Sequence, residues 1–431
     1  MSRKRIAAVA IALAATLPAS GFAQGEGAVL LRAARLIDGL GNVIEPGRIL
    51  IDGERIAAVG AELAVPAGAR TIDLGDATIL PGLIDLHTHL TSEVGVHWEE
   101  VLVTTTPGES ALYGAANALA TLRAGFTTVR DMGPEWPYTD VDLRNVIDAG
   151  VLPGPRLQVA GSYVSVTGGA GDARQFSHYV DVPSVRNLAD GVDAVRAAVR
   201  ANFKYGANFT KILATGAVLS RGISPGAQQY SDEELIVAVE ETTRREGFVA
   251  AHAHGAEGIN AAIRAGVRTI DHGSMMDDEG LEMLAASDST FYVPTLYVGV
   301  IIPRDGPSLG IPQAQIDRSI EMMVFRNATF RRAVERGLKI GFGTDAGVFE
   351  HGHNAREFQE RTENGESELD AITSATSVSA MIMGWEDRVG SLEAGKLADV
   401  IAVRGSPLDN ITRMERVMFV MKGGEVYRDD R

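Results

Sequence analysis

The sequence of 431 residues contains no cysteine. This absence excludes disulfide bonds, thiolate metal ligands and a cysteine nucleophile. Any metal ion bound by this chain must therefore be held by nitrogen and oxygen atoms, which suits zinc and also manganese, cobalt or nickel.

Positive charge is also in short supply, because Asp and Glu outnumber Lys and Arg by 56 to 40 and give a formal net charge of −16. An acidic chain repels nucleic acid and anionic membrane surfaces, so the mature protein is expected to bind neither. A solvated acidic surface is sufficient to explain the balance.

Long hydrophobic runs are missing after the first residues of the chain. A basic start at residues 3–5 precedes an apolar run at residues 6–18 and small residues that end at Ala23. The run is shorter than a bilayer-spanning helix, which disfavours an N-terminal anchor. The pattern predicts a signal peptide over residues 1–23 and export to the periplasm or beyond. Cleavage near Ala23 removes three positive charges and no negative ones, which changes the net charge from −16 to −19.

The two ends of the mature chain differ from its middle. Residues 24–78 and 386–431 alternate short β-branched runs with Gly and Asp turns, which is typical of hairpins. We expect these two segments to form one small β-sandwich domain that flanks a catalytic domain over residues 79–385.

The middle segment alternates strands with helical patterns. The predicted helices between the strands include Ala111–Ala124, Asn187–Tyr205, Asp232–Gly247, Ile259–Ala265 and Gln313–Gly337. The predicted strands are Ile79–Leu86, Thr127–Asp131, Arg156–Ala160, Phe209–Ala214, Phe248–His252, Thr269–His272, Phe291–Pro294 and Ile340–Asp345. Eight such units predict an α/β fold, a (β/α)8 TIM barrel with its active site at the carboxyl ends of the strands. A doubly wound open sheet is the alternative, but it would not gather the ends of strands one, five, six and eight around one point.

Metal-type side chains follow several of the predicted strands. His87 and His89 end the first strand, and residues two apart on an extended backbone project to the same side. His252 and His272 end the fifth and sixth strands, and Asp345 ends the eighth. A lone histidine is more often a packed residue and Asp345 alone could cap a helix, but together they predict a catalytic metal site.

Lys211 lies in an apolar strand, Phe209–Ala214, where burial of a cation is costly. From composition alone it could extend to the rim of the barrel or pair with a carboxylate.

The chain resembles the amidohydrolase superfamily, in particular its imidazolonepropionase-like branch of metallo-carboxypeptidases and dipeptidases. The resemblance covers nearly the whole mature chain and rests on the motifs at residues 81–89, 125–131, 343–347 and 390–400. It implies two divalent metal ions, most simply Zn²⁺, bridged by Lys211 after its carboxylation by CO2. The implied metal ligands are His87, His89, Lys211, His252, His272 and Asp345.

The resemblance also implies a mechanism of amide hydrolysis. Two ions about 3.5–4 Å apart share a water and lower its pKa, and Asp345 would accept the proton and deliver it to the leaving amine. Tyr230 resembles a tyrosine that contacts the substrate, and we expect it to contact the oxyanion or the substrate carboxylate, with packing on the barrel rim as the alternative. His254 is a second candidate for contact with the substrate or the outer shell of the metal site.

The sequence departs from the family pattern at a position that is expected to bind the substrate. Many relatives carry a histidine in the loop after the third strand, where this chain has Ala170. Its absence argues against strict dipeptidase specificity and predicts a roomier pocket. The substrate carboxylate could instead be bound by Arg174, Arg221 or Arg356, which the sequence does not rank.

These observations predict an exported, carboxypeptidase-like amidohydrolase that cleaves the amide before a C-terminal amino acid. N-acyl amino acids and small peptides are the expected substrates. The resemblance extends to exported bacterial enzymes that hydrolyse ochratoxin A to phenylalanine and ochratoxin alpha. The alternatives are a hydrolase of cyclic amides or lactones and a non-catalytic barrel scaffold. By analogy with relatives that assemble, a homo-oligomer is expected.

Overall fold

The computed structural model describes residues 27–95, 97–173, 176–180 and 188–431. The predicted signal peptide lies outside the described residues, as does Arg174. Within the described ranges, no helix is both long enough and apolar enough to cross a membrane.

Seventeen strands make up the sheets of the described chain. They are β1 Val29–Ala33, β2 Arg35–Ile37, β3 Val43–Ile44, β4 Gly47–Asp52, β5 Arg55–Gly60, β6 Arg70–Asp73, β7 Ala77–Pro81, β8 Leu83–Thr88, β9 Phe126–Asp131, β10 Arg156–Val159, β11 Thr210–Leu213, β12 Val249–Ala253, β13 Thr269–His272, β14 Phe291–Val293, β15 Val400–Arg404, β16 Val417–Lys422 and β17 Glu425–Asp429.

Twelve α-helices are described, most of them between the strands of the middle segment. They are α1 Trp98–Thr104, α2 Pro107–Arg123, α3 Thr139–Asp148, α4 Val192–Lys204, α5 Asp232–Thr243, α6 Ala256–Ala265, α7 Asp278–Ala285, α8 Val298–Asp305, α9 Gln313–Glu335, α10 Glu357–Glu363, α11 Glu368–Thr373 and α12 Ser379–Met383. A capping box fixes the start of α5, where Ser231 and Glu234 satisfy each other's backbone N–H groups.

Strands from both ends of the chain form two small sheets. One has the order β5-β4-β1-β6, and the other has the order β17-β16-β15-β7-β2-β3. The strands β15 and β7 pair antiparallel in the second sheet, which joins the C-terminal segment to the N-terminal one. Residues 77–81 in β7 therefore lie in this sheet, across the domain boundary predicted at residue 79, and that boundary stays a prediction.

The middle segment forms a barrel of parallel strands. The strands β8, β9 and β10 form one parallel group with β9 in the centre, and β11 to β14 form a second group in chain order. Short bridges join the two groups: Asn208 N donates to Val159 O at 2.8 Å on one side, and Gly341 N donates to Tyr292 O at 2.8 Å on the other. Leu86 N then donates to Phe342 O at 2.8 Å, so residues 340–346 take the place of the eighth strand. The predicted α/β barrel with an additional sheet domain is confirmed.

Two of the predicted strands differ in form. Ile79–Leu86 was expected as one strand, but the chain breaks at Gly82 into β7 and β8. A Cβ atom at Gly82 would lie 2.1 Å from the Thr127 hydroxyl oxygen, so only glycine allows β9 to approach here. The segment Ile340–Asp345 is an irregular run with an isolated bridge between Ile340 and Tyr292 rather than a continuous strand.

Candidate active site

The predicted metal-binding side chains converge at the carboxyl ends of the barrel strands. One cavity of about 240 Å³ is lined by His87, His89, Lys211, His252, His272 and Asp345, together with His254. Parallel barrel strands bring their carboxyl ends to one side, which is why residues far apart in the sequence meet.

The histidine rings form a tight cluster. Ring centroids lie 4.8 Å apart for His87 and His272, 4.6 Å for His252 and His272, and 5.0 Å for His254 and His272. Two sets of ligand atoms lie within 4.8 Å of one another: one from His252, His254 and His272, and one from His87, His272 and Asp345. Such spacing allows several side chains to share one or two metal ions.

Asp345 completes the cluster from the eighth barrel position. Its Oδ1 lies 3.3 Å from His87 Nε2 and 3.4 Å from His89 Nε2. Neighbouring glycines make this approach feasible, because a Cβ at Gly343 would lie 3.0 Å from His87 Cβ and one at Gly347 would lie 2.7 Å from His89 Cβ. Gly343 and Gly347 therefore allow the segment that carries Asp345 to pack close to the two histidines.

Three residues at the site adopt the left-handed backbone conformation that non-glycine residues rarely take. The φ angles are 69° for His272, 50° for Thr295 and 63° for Asp345. Such strain persists only where surrounding contacts hold it, and it is concentrated at functional sites. His272 Nδ1 and Thr295 Oγ1 lie 2.8 Å apart, which fixes the imidazole plane.

Lys211 is buried in the same cavity with an amine that contacts no hydrogen-bond partner among the described residues. Burial lowers the pKa of the Lys211 amine to about 8, against the opposing effect of Asp271 and Asp345. A neutral amine is the form that reacts with CO2, and an unpaired buried amine is costly.

The imidazoles are held mostly in the neutral form that binds metal. Burial lowers the pKa of His252 to about 3 and also lowers the pKa values of His254 and His272. His89 differs: burial opposes its protonation, but the hydrogen bond and charge of Asp345 raise its pKa to about 9. Without a metal, His89 and Asp345 therefore behave as an ion pair.

Asp271 and Arg130 are site residues that sequence reasoning did not single out. Asp271 Oδ1 lies 3.0 Å from His87 Nδ1, and Arg130 Nη2 donates to the same oxygen at 3.0 Å. Burial alone would raise the pKa of Asp271, but Arg130 and Lys211 keep it below its usual value. A carboxylate behind a histidine fixes the ring orientation. The only signal in the sequence was the position of Asp271 directly before His272.

Two further residues in the cavity wall were also missed. Arg326 lies on α9 and is almost fully buried, and Gln315 lies on the same helix eleven residues earlier. Both are polar residues within an amphipathic helical pattern, so the sequence offered no reason to place them at the site.

Of the predicted substrate residues that the structure describes, Tyr230, Arg221 and Arg356 do not line the cavity. Tyr230 is buried in a hydrophobic cluster beside the start of α5. Arg221 is 3.4 Å from Glu99 in an ion pair, and Arg356 donates to the Tyr297 hydroxyl at 2.7 Å. Ala170, in contrast, does line the cavity, as does His254, whose Nδ1 lies 2.9 Å from the Ser274 hydroxyl.

Comparison with known proteins relates this geometry to a family. The profile of the Amidohydrolase family matches residues 78–427, which is most of the chain. The chain belongs to the Amidohydrolase family. It is 29% identical to an ochratoxinase of Aspergillus niger over 429 residues, covering 93% of this chain and 86% of that protein.

Solved structures of this amidohydrolase's relatives agree in fold. A structure described as a Xaa-Pro dipeptidase with bound methionine in the active site is 36% identical, with a TM-score of 0.87 over 93% of this chain and 100% of that one. The structure of A. niger ochratoxinase is 28% identical, with a TM-score of 0.83 over 94% and 96% of the two chains. The chain is accordingly a hydrolase that acts on amide bonds of small molecules.

The side chains of this amidohydrolase fit a metal centre. The cluster offers imidazole nitrogens and a carboxylate, and the Lys211 amine, which has no hydrogen-bond partner in the described part of the chain, lies in the same cavity. The family is generally metal-dependent, and a donor set of nitrogen and oxygen suits first-row divalent ions.

Proposed function

We propose that this amidohydrolase uses two divalent metal ions to hydrolyse the amide bond before a C-terminal amino acid. The observation that carries the proposal is the convergence in one cavity of the buried His87, His252 and His272, the partly buried His89, Asp345 and Lys211, whose amine has no hydrogen-bond partner among the described residues.

His87, His89 and Asp345 would hold the more buried ion, and His252 and His272 would hold the other. A carboxylated Lys211 would bridge them, because CO2 adds to a neutral amine and converts the buried cation into an anionic oxygen ligand. Zn²⁺ is the proposed metal. When bound, the ions supply Lewis-acid activation of water and polarisation of the scissile carbonyl.

Asp345 is the proposed acid–base group. Its carboxylate is buried and its pKa is held below the usual value mainly by His87, against the effect of burial, so it is ionised and can accept a proton. The contacts of Oδ1 with His87 and His89 fix the position of the carboxylate in the cavity wall. It would take the proton of the attacking water and deliver it to the leaving amine. His254, which lines the cavity beside His272, is the proposed contact for the developing oxyanion or the substrate.

The proposed substrates are N-acyl amino acids and small peptides, with ochratoxin A among them. The apolar part of the cavity wall supports a bulky acyl group. It includes Val218, Leu219, Val298, Ile302, Leu309 and Ile311. The relatives named as an ochratoxinase and a Xaa-Pro dipeptidase also support cleavage next to an amino acid.

A substrate panel tests this function with protein reconstituted in Zn²⁺ and bicarbonate. We expect N-acyl-phenylalanine and ochratoxin A to be hydrolysed, with dipeptides as slower substrates. The matched control is Asp345→Asn, which keeps the shape of the side chain but removes the acid–base group and should abolish turnover of every member.

Two outcomes would overturn the proposal. Turnover of lactones or cyclic amides alone would favour a ring-opening hydrolase. No stoichiometric divalent metal in the purified protein, together with no effect of Lys211→Ala on any activity, would favour a non-catalytic scaffold.

We also propose that the protein is exported and cleaved near Ala23. The basic start and short apolar run of residues 3–18 support this. The intact mass of protein from the periplasm or medium tests it, because retention of residues 1–23 would contradict cleavage.

A further inference from the structure

Arg326 is a buried cation in the wall of the active-site cavity, where the residue is 2% exposed. It is the only arginine, and Lys211 is the only lysine, among the described residues that line this cavity. If Lys211 becomes an anionic bridge, Arg326 remains as the single cationic side chain of the wall other than histidine.

The pairing of Arg326 differs from that of the other fully buried arginines. Arg130 forms an ion pair with Asp271 at 3.0 Å, and Arg361 forms one with Glu366 at 2.6 Å. No ion pair of Arg326 with a carboxylate occurs in the described part of the chain, where the closest compensation is a hydrogen bond from Nη1 to Thr295 O at 2.6 Å. Glu357 and Asp345 act on this guanidinium only from beyond ion-pair distance. Because a buried charge without a close partner is unfavourable, this environment favours the binding of an anionic group.

The donor groups of Arg326 are not all used. A guanidinium carries five N–H donors, and Nε has no hydrogen-bond partner among the described residues. Gly299 on α8 lies against the guanidinium, where a Cβ atom would be 3.2 Å from Nη1. Because glycine has no Cβ atom, Gly299 leaves room for the planar guanidinium of Arg326 in the cavity wall.

The position of Arg326 suits the product side of the reaction. Thr295 links it to the metal cluster, because Thr295 O accepts from Arg326 while Thr295 Oγ1 contacts His272 Nδ1 at 2.8 Å. In an amino acid, the carboxylate carbon is two bonds, about 2.5 Å, from the nitrogen that amide hydrolysis releases. A carboxylate next to the scissile bond must therefore lie near the metal cluster and within this same cavity.

We propose that Arg326 binds the α-carboxylate of the amino acid that the enzyme releases. This inference rests on the proposed function and adds the residue that selects a free C-terminus. A carboxylate that reaches the guanidinium from the cavity would provide the directly paired negative charge that Arg326 lacks among the described residues, and such charge-assisted pairs are strong when desolvated.

The test compares N-acyl-phenylalanine with its neutral carboxamide in wild-type protein and in Arg326→Gln. We expect the wild-type enzyme to prefer the carboxylate by about 100-fold in kcat/KM and the variant to lose most of that preference. Arg326→Lys keeps the charge without the planar fork and should be intermediate. Arg331→Gln is the matched control, since it removes a charge from the same helix at a residue that does not line the cavity.

Binding of L-phenylalanine, measured by calorimetry on the metal-loaded proteins, separates this inference from the proposed function. Weaker binding in Arg326→Gln than in Arg331→Gln supports the carboxylate contact even if wild-type protein hydrolyses no N-acyl amino acid. Equal losses of kcat/KM on the carboxylate and the carboxamide, with unchanged binding of L-phenylalanine, would show that Arg326 only holds Thr295 in position. Absence of L-phenylalanine binding to the wild-type protein would also overturn the inference. If Arg326→Gln fails to fold, the lysine variant gives the same comparison.

Discussion

The carboxylate of Asp271 lies 3.0 Å from His87 Nδ1, on the side of the imidazole away from Asp345. The other oxygen of Asp271 accepts from the Thr269 hydroxyl at 2.7 Å, so the carboxylate is held in place. With Nδ1 engaged, His87 presents Nε2 to the cavity, which is the nitrogen that faces Asp345. The orientation of the first predicted ligand therefore depends on a residue of the sixth barrel strand.

Asp271→Asn should weaken metal binding and activity by about 10- to 100-fold, because the amide orients His87 less strongly and adds no negative charge. Metal content after dialysis against a weak chelator measures the effect. Asp278→Asn is the control, because Asp278 forms exposed ion pairs with Arg332 and Arg336 far from this network. Equal metal retention in both variants would contradict the role given to Asp271.

Lys211→Ala should reduce kcat by more than about 100-fold, because the proposed bridge between the two metal sites is lost. Short carboxylic acids such as acetate or propionate should restore part of the activity, since they place an oxygen ligand in the space vacated by the side chain. The rescue should be absent in Asp345→Asn, which keeps Lys211. If Lys211→Ala retains full metal content and activity without added acid, the bridging role is wrong.

The sequence predicted the ligand set because period-two spacing and strand ends are local features. His87 and His89 were predicted as ligands from their spacing and their position at a strand end, and the order of the strands implied that His252, His272 and Asp345 meet them. Lys211 required the family resemblance. The strained backbone of His272 and Asp345 and the break at Gly82 were not predictable, because they result from contacts between strands.

Substrate recognition was predicted less well for a physical reason. Arginines at loop positions looked available in the sequence, but Arg221 and Arg356 form contacts with Glu99 and Tyr297 instead. Arg326 lies within a 23-residue helix and reaches the cavity only because α9 packs over the carboxyl ends of the strands. Tertiary packing, rather than local pattern, selects which cation lines the cavity.

Removal of metal should lower the unfolding temperature as well as abolish activity. A ligand that binds only the folded state stabilises it by about 2.7 kcal/mol at a hundred times its Kd. Without metal, the negative charge of Asp345 is balanced within the cavity by His89, at 3.4 Å, and by the Lys211 amine. Scanning calorimetry with and without chelator measures the shift. Zn²⁺ should restore it and Mg²⁺ should not, because Mg²⁺ prefers oxygen ligands; equal rescue by Mg²⁺ would contradict the nitrogen-rich site.

Glu357 should make stability fall as the pH rises. Burial raises the pKa of this carboxyl to about 8, opposed by Arg361 and by the N–H groups of Leu296 and Tyr297, while Glu360 adds to the increase. A carboxyl with a raised pKa in the folded state stabilises the fold below its unfolded pKa, near 4.5, and loses that contribution as the pH rises through 8. The stability of wild-type protein relative to Glu357→Gln should therefore decrease from pH 6 to pH 9 in urea unfolding. A constant difference would contradict the shift.

Ala170→His should change substrate preference from bulky acyl groups toward small peptides. Ala170 lines the cavity, and its backbone is fixed because its N–H donates to Gln229 Oε1 at 2.9 Å and its carbonyl accepts from the Ser220 hydroxyl at 2.7 Å. An imidazole at this position would occupy cavity space without moving the loop.

We expect kcat/KM to fall by about 10-fold or more for ochratoxin A and to change little for a dipeptide, since a misfit in a packed pocket costs about 1–3 kcal/mol. Ala170→Ser is the control, because it adds one small atom and should leave both values nearly unchanged. Equal losses on both substrates in the histidine variant would mean that Ala170 does not set the size of the acyl pocket.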